Sequence, residues 1–203
     1  LDRLEDIIDA GATSLKIEGR LKDAAYVKNV VAAYNQKLND IIENNPGVYC
    51  RSSRGKSEYT FVPNLDKTFN RGYTHYFLDG RRDDISSFDT PKAMGEYVGY
   101  VKEIRRDSFN VAGTAMFANG DGLCFFTQDH KLHGFRVNRV ENNRLFPLSM
   151  PENLKAGMAL YRNNDIVFER AMEGKTAERK LDIDMTIGVD CGKIVLEAED
   201  EAG

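Results

Sequence analysis

The chain has 203 residues, 41% of them hydrophobic, and a formal charge of −4. That is material for one or two domains of about 100–150 residues, and no uncharged apolar run approaches the ~20 residues a membrane helix needs, nor does a signal-peptide pattern open the chain. Its three widely separated cysteines, Cys50, Cys124 and Cys191, include no CxxC, which fits reduced thiols in a cytoplasmic protein better than a disulfide framework or a zinc site.

In chain order, the apolar spacing Leu1, Leu4, Ile7, Ile8 predicts the end of a helix over residues 2–10, with Gly11 as its C-cap. Ser14–Arg20 reads as a short strand: Leu15 and Ile17 point one way, Ser14, Lys16 and Glu18 the other. Asp23 opens the next helix, where Val27, Val31, Tyr34, Leu38 and Ile41 define a buried stripe. Asn44-Asn45-Pro46-Gly47 stops it. A strand between two helices belongs to a parallel sheet covered on both faces, where Lys16 and Glu18 would need partners.

Residues 44–95 lack sustained periodicity and read as an extended linker, with short strands expected near Tyr59–Val62 and Tyr73–Leu78. Between Tyr49 and Arg82 there are seven basic residues, three acidic ones and seven aromatics. Interleaving of that kind can track phosphates and stack bases, although a packed loop with solvated charges is the commoner explanation. From Glu96 the pattern changes to strands: Tyr97–Ile104, a second from Phe109, then Leu123–Thr127, Gly134–Val140, Arg144–Pro147 and Met158–Tyr161. Asn119-Gly120-Asp121-Gly122 is a turn signal of the kind tight hairpins use. About six short strands separated by turn residues predict a small closed barrel. The alternation Leu181, Ile183, Met185, Ile187 and the run Lys193–Ala198 follow, ending in the acidic turn Glu199–Glu201 with no second strand expected beyond it; residues 176–203 hold eight acidic side chains against three basic.

Glu18 and Arg20, at the carboxyl end of a strand, are the leading catalytic candidates. A carboxylate there can act as general base or orient a substrate, and a guanidinium can clamp a phosphate or carboxylate. Lys16 is the expected partner of Glu18; a structural ion pair inside a barrel is the competing explanation. His130, Lys131, His133, Arg136, Arg139 and Arg144 form one basic cluster, with Arg136 and Arg139 as candidate substrate contacts. His130 and His133 alone make no complete metal site, and no metal is expected. Ser53–Lys56 (SxxK) and Gly174-Lys175-Thr176 lack their companion motifs and carry no weight.

Several separated blocks also resemble a known family. Asp9–Thr13, Ser14–Arg20 and Leu21–Val27, followed by Thr68–Tyr73, Ser87–Lys92 and Phe117–Leu123, are similar in order to the collagenase-like peptidase family U32, over roughly residues 1–170 and most nearly to its larger members, which include ribosomal RNA cytidine hydroxylases. The resemblance implies an α+β multidomain fragment: the C-terminal helix–strand–helix of a catalytic (β/α) barrel (1–43), an aromatic-rich linker (44–95), a small all-β barrel like the second domain of translation elongation factors (96–172), and the start of a further, truncated β domain (173–203). It places Tyr26 in the family motif and, with Arg71 in the Thr68–Tyr73 block, among the candidate substrate contacts. It implies an iron–sulfur cluster in the full-length parent, on cysteines expected upstream of Leu1, and none in this chain. RNA is the implied partner, with a peptide substrate or a purely non-catalytic docking role as alternatives, and no membrane.

Overall fold

The computed structural model describes residues 1–83 and 85–200. In order the elements are α1 (Leu4–Asp9), α2 (Ala24–Asn44), β1 (Lys56–Tyr59), a 3-10 turn (Leu65–Lys67), β2 (Glu96–Ile104), β3 (Phe109–Ala112), β4 (Gly122–Phe126), β5 (Leu132–Glu141), β6 (Arg144–Pro147), β7 (Ala159–Asn164), α3 (Ile166–Ala171), β8 (Ala177–Lys180), β9 (Ile183–Asp190) and β10 (Lys193–Asp200). They form two compact units, one of residues 1–16, 31–62 and 174–203, the other of residues 17–30 and 63–173.

In the first unit α1 ends where the Gly11 N–H bonds back to the Ile8 carbonyl, as its sequence predicts. Its part of α2 buries Ala32, Ala33 and Ile41. The predicted stripe needs correction here and further up the helix: Val27 and Val31 are 39% and 42% exposed, whereas Asn29, Val30, Ala32 and Ala33 face inward. Counting large apolar side chains missed the two alanines, which are buried all the same. β1 pairs antiparallel with β8. The run Lys193–Ala198 does find a second strand, but upstream: β10 pairs with β9, and the two are joined through Cys191 and Gly192, both at positive φ. That backbone matches the twist a two-residue hairpin needs. Ile183, Met185, Ile187, Val189, Ile194 and Leu196 remain exposed along this ribbon. The expected acidic turn is not seen at Glu199 and Asp200, which are still in β10; Glu201 lies outside the described residues.

The second unit is built on a closed six-stranded barrel in the order β2-β3-β6-β5-β4-β7, every neighbouring pair antiparallel. The expected small barrel is present, within a residue or two at most strand ends. Val98, Val101, Phe109, Val111, Leu123, Phe125, Val137, Leu145, Leu154 and Leu160 fill its core. The Asn119–Gly122 turn is formed but closes no hairpin, since β3 pairs with β2 and β6 while β4 pairs with β5 and β7. Instead it turns a corner of the barrel, with the Gly120 N–H bonded to the Val137 carbonyl and the Val137 N–H to the Asp121 carbonyl. Tyr73–Leu78 is not a strand: Leu78 and Gly80 donate to His75 and Phe77 in successive turns, and Tyr76 has a positive φ. α3 was not foreseen, although Asp165 caps it by accepting from the Val167 and Phe168 amides.

Ser14–Gly19 takes no regular secondary structure and joins no ladder among the described residues, and Arg20 stands in a turn. The helix–strand–helix reading of residues 1–43 is therefore met by two helices and an unpaired segment, and no (β/α) barrel is formed among the described residues. Leu15 and Ile17 are half-buried while Lys16, Glu18 and Arg20 are exposed, so the alternation is real but the charged side is not covered.

At one end of the barrel, buried Arg162 meets three carboxylates: Glu96 at 2.5 Å, Asp165 at 3.2 Å and Asp121 at 3.4 Å. Lys67 pairs with Asp165 at 2.6 Å. Burial alone would raise the Asp165 pKa, but the Lys67 hydrogen bond, the Phe168 amide and the Arg162 and Lys67 charges together hold it below the usual carboxylate value. A folded-state pKa below the unfolded one contributes stability that is complete above the unfolded value of about 3.9 and is lost as pH falls toward the folded value. Acid titration followed by circular dichroism should show steepening loss of the barrel below about pH 4, and Asp165→Asn should weaken that dependence while lowering stability at neutral pH.

Candidate functional site

The site grows from two sequence blocks that the fold brings together. Gly19–Lys22 makes a tight turn, the Lys22 N–H bonding to the Gly19 carbonyl at 3.0 Å, and a Cβ on Gly19 would lie 2.9 Å from Val27 Cγ2. Only glycine lets the turn press against the start of α2 without displacing that side chain. Asp23 then caps α2, its Oδ1 accepting from the Tyr26 N–H at 2.7 Å. One turn on, fully buried Asn29 works like a strand edge: its amide donates to the Asn64 carbonyl at 2.7 Å and to Thr68 Oγ1 at 2.9 Å, while its oxygen accepts from the Asn64 N–H at 2.9 Å.

The segment docked in this way carries Thr68–Tyr73. Asn70 shapes it from within, donating to the carbonyls of Asp66 (3.0 Å) and Thr68 (3.1 Å) while its own carbonyl accepts from the Met94 N–H at 2.9 Å. The outcome is an aromatic ring set between cations. Lys22 Nζ lies 3.2 Å from the Phe69 ring centroid and Arg71 Cζ 5.8 Å from it. Beside them, burial, the Asp66 charge and hydrogen bond, and the proximity of Tyr26 push the Tyr73 phenol well above its ordinary pKa, so it stays neutral and donates to Asp66.

Of the residues singled out by sequence, Glu18 and Arg20 approach each other at 3.9 Å, with side chains 60% and 83% exposed. Arg71 and Tyr26 belong to the aromatic–cation cluster, and Lys16 is exposed on the unpaired Ser14–Arg20 segment. Arg136 and Arg139 lie on β5 of the barrel, where Arg139 bonds Glu141 and stacks at 4.1 Å on Phe146. Much of the basic cluster around them is neutralised: Lys131 pairs with Asp129, which holds that carboxyl down at about 2, Arg144 pairs with Glu103, and His130 lies 3.9 Å from Asp89. Sequence reasoning did not single out Lys22, Phe69 or Asn29. The first two stood inside the quoted blocks, and only their spatial meeting gives them a role.

Of the three cysteines, Cys124 does not suit an iron–sulfur cluster. Cys124 is buried in the barrel, its Sγ bonded to the Met94 carbonyl at 3.3 Å, and burial pushes its thiol up to about 12; Cys50 and Cys191 are exposed. No helix among the described residues is long and apolar enough to cross a membrane.

Residues 1–87 match the family model described as peptidase family U32. Among curated proteins it is 40% identical, over 97% of its own length and 31% of the relative's, to the 23S rRNA 5-hydroxycytidine C2501 synthase of Escherichia coli (strain K12). It is 25% identical to tRNA hydroxylation protein P of the same organism, over 79% of this chain and 37% of the relative, and 26% identical to tRNA hydroxylation protein P1 of Bacillus subtilis (strain 168), over 62% and 29%. The chain thus spans about a third of the length of the curated relatives it matches. No solved structure gives a significant match.

Proposed function

We propose that the protein takes part in hydroxylating a pyrimidine base of ribosomal or transfer RNA in the cytoplasm, and that the Glu18–Tyr26 segment with the Phe69–Tyr73 turn forms part of its RNA-contacting surface. The observation that carries this reading is the cluster of Lys22 and Arg71 around Phe69. A cation on an aromatic ring, with the Arg71 guanidinium close by, offers phosphate contacts and a stacking surface together, the combination that single-stranded RNA uses. The names of three relatives, all concerned with rRNA or tRNA hydroxylation, support the same class of substrate. In this reading Arg20 and Arg71 hold phosphate, Glu18 orients or deprotonates the substrate, and the barrel, with Arg136 and Arg139 on β5, grips RNA or a partner. In this reading any cluster that supplies the oxidation chemistry is held by groups other than the buried Cys124. A peptide-cleaving alternative would need an activated nucleophile, and the protonated Cys124 thiol is unsuited to that task.

The test is nucleoside mass spectrometry of ribosomal and transfer RNA from cells lacking the gene. We expect one hydroxylated pyrimidine to disappear, to return with the wild-type gene, and not to return with Glu18→Gln. An unchanged nucleoside profile would sink the hydroxylation reading, whereas full rescue by Glu18→Gln would remove Glu18 alone from it.

A further inference from the structure

The first unit contains a second cationic surface. Residues Arg51–Lys56, with Asn39, Ile42 and Glu43 of α2, line a groove of about 560 Å³. Three basic side chains face one carboxylate there, and their hydrogen bonding leaves much of the charge uncompensated. Arg51 is held against α2 by neutral oxygens only, Nε on Asn39 Oδ1 at 2.9 Å and Nη2 on the Asn35 carbonyl at 3.2 Å. Arg179, across the ribbon, likewise spends Nε on the Arg54 carbonyl at 2.8 Å. Arg54 itself pairs with Asp200 at 2.5 Å.

The ribbon register adds a conflict. It sets Lys56 directly opposite Lys180 and Glu58 directly opposite Glu178, and like charges opposite one another in an antiparallel pair are destabilising. Other contacts relieve three of the four: Lys180 bonds Glu58 diagonally across the ribbon at 2.7 Å, and Lys175, just before β8, bonds Glu178 at 2.8 Å. Lys56 is left over, with no carboxylate within ion-pair distance among the described residues. The strands are held in this register at close quarters, because Gly55 sits at φ +80 with the Lys180 carbonyl 2.4 Å from where its Cβ would be. A lysine fixed opposite a lysine, beside a guanidinium bonded only to neutral groups and the hydroxyl-bearing Ser52 and Ser53, is arranged for an anion that the chain does not provide.

We infer that this groove binds the phosphate backbone of RNA, with Arg51 and Lys56 as the principal contacts, and so gives the first unit an RNA contact of its own. The inference rests on the RNA reading proposed above and adds a site to it. Because Lys56→Glu would place opposite charges across the ribbon, the substitution should leave folding intact or improve it, which separates weakened binding from damaged structure.

The experiment measures fluorescence anisotropy of the intact protein with a labelled mixed-sequence single-stranded RNA 20-mer, over a series of salt concentrations. For the Lys56→Glu, Arg51→Gln double variant we expect affinity to fall about tenfold at low salt, and the slope of log K against log salt to become shallower by roughly 1.4, about 0.7 for each single-strand phosphate that is no longer neutralised. The melting temperature of Lys56→Glu should not fall. Inorganic phosphate at the same phosphate concentration should compete weakly, and polyglutamate should not compete. Unchanged affinity and slope in the double variant would overturn the inference while leaving the hydroxylation reading to its own nucleoside test. Equal competition by polyglutamate would also overturn it, in favour of an acidic protein partner, and equal competition by inorganic phosphate would reduce the site to a small-anion one.

Discussion

Replacing Arg162 by alanine should cost about 3–5 kcal/mol of barrel stability and lower the melting temperature by roughly 10–20 °C. The guanidinium spans its neighbours with all three nitrogens, reaching Glu96 through Nε and Nη2, Asp121 and the Met116 carbonyl through Nη1, and Asp165 through Nη2. Removing it leaves Asp121, which has no solvent exposure, buried without its cation. Asp121 would keep its bonds from the Ala118 and Ile166 amides at 3.0 and 3.1 Å, so the corner they form would be strained before it opened. Arg162→Lys should restore only part of the stability, because one ammonium cannot reproduce a planar fork that bridges three carboxylates. Thermal denaturation of the three proteins, monitored in the far ultraviolet, checks the ranking.

Asn29→Ala should act differently, removing function more than fold. Its side chain supplies both donor and acceptor to the Asn64 backbone and a further bond to Thr68. Without it two backbone groups of Asn64 lose their partner, at about 1–3 kcal/mol for each group that stays buried. The Thr68–Tyr73 turn would then be released from α2, and Phe69 and Lys22 would no longer be held face to face. We expect the barrel to melt almost as before, while, on the RNA reading proposed above, the hydroxylated nucleoside falls to a small fraction of the wild-type level in complemented cells. Asn29→Asp should do nearly the same, since a carboxylate cannot donate to the Asn64 carbonyl. Barrel melting that drops in parallel with the modification would show the residue to be a general stabiliser and not a device for holding the turn.

The parts of the chain that were legible in sequence are those where local pattern and tertiary environment agree. Val98, Val101, Phe109, Val111, Leu123, Phe125 and Val137 mark strands and also fill the barrel, so the six strands could be read with small errors at their ends. Gly11 and Asp23 announced a helix end and a helix start for reasons confined to a few bonds. Where the outcome depended on distant partners, the reading failed. Ser14–Arg20 has a strand's alternation, yet no ladder partner is present among the described residues. Asn119–Gly122 has the composition of a hairpin turn, but pairing in the barrel is decided by which strands close the ring. At the candidate site, Arg71 and Tyr26 were within reach of sequence reasoning because they stand in recognisable blocks. Asn29 was not, because a buried asparagine on a helix shows its purpose only once Asn64 is opposite it.

Closure of the barrel has a consequence for how this part of the molecule can meet others. With β2-β3-β6-β5-β4-β7 joined into a ring, the ladder has no free edge on which another chain could lay a strand. Recognition on the barrel wall must therefore be written in side chains and loops. Such a surface can exchange one partner for another by changing residues like Arg136 or Arg139, with the backbone pairing beneath them left as it is.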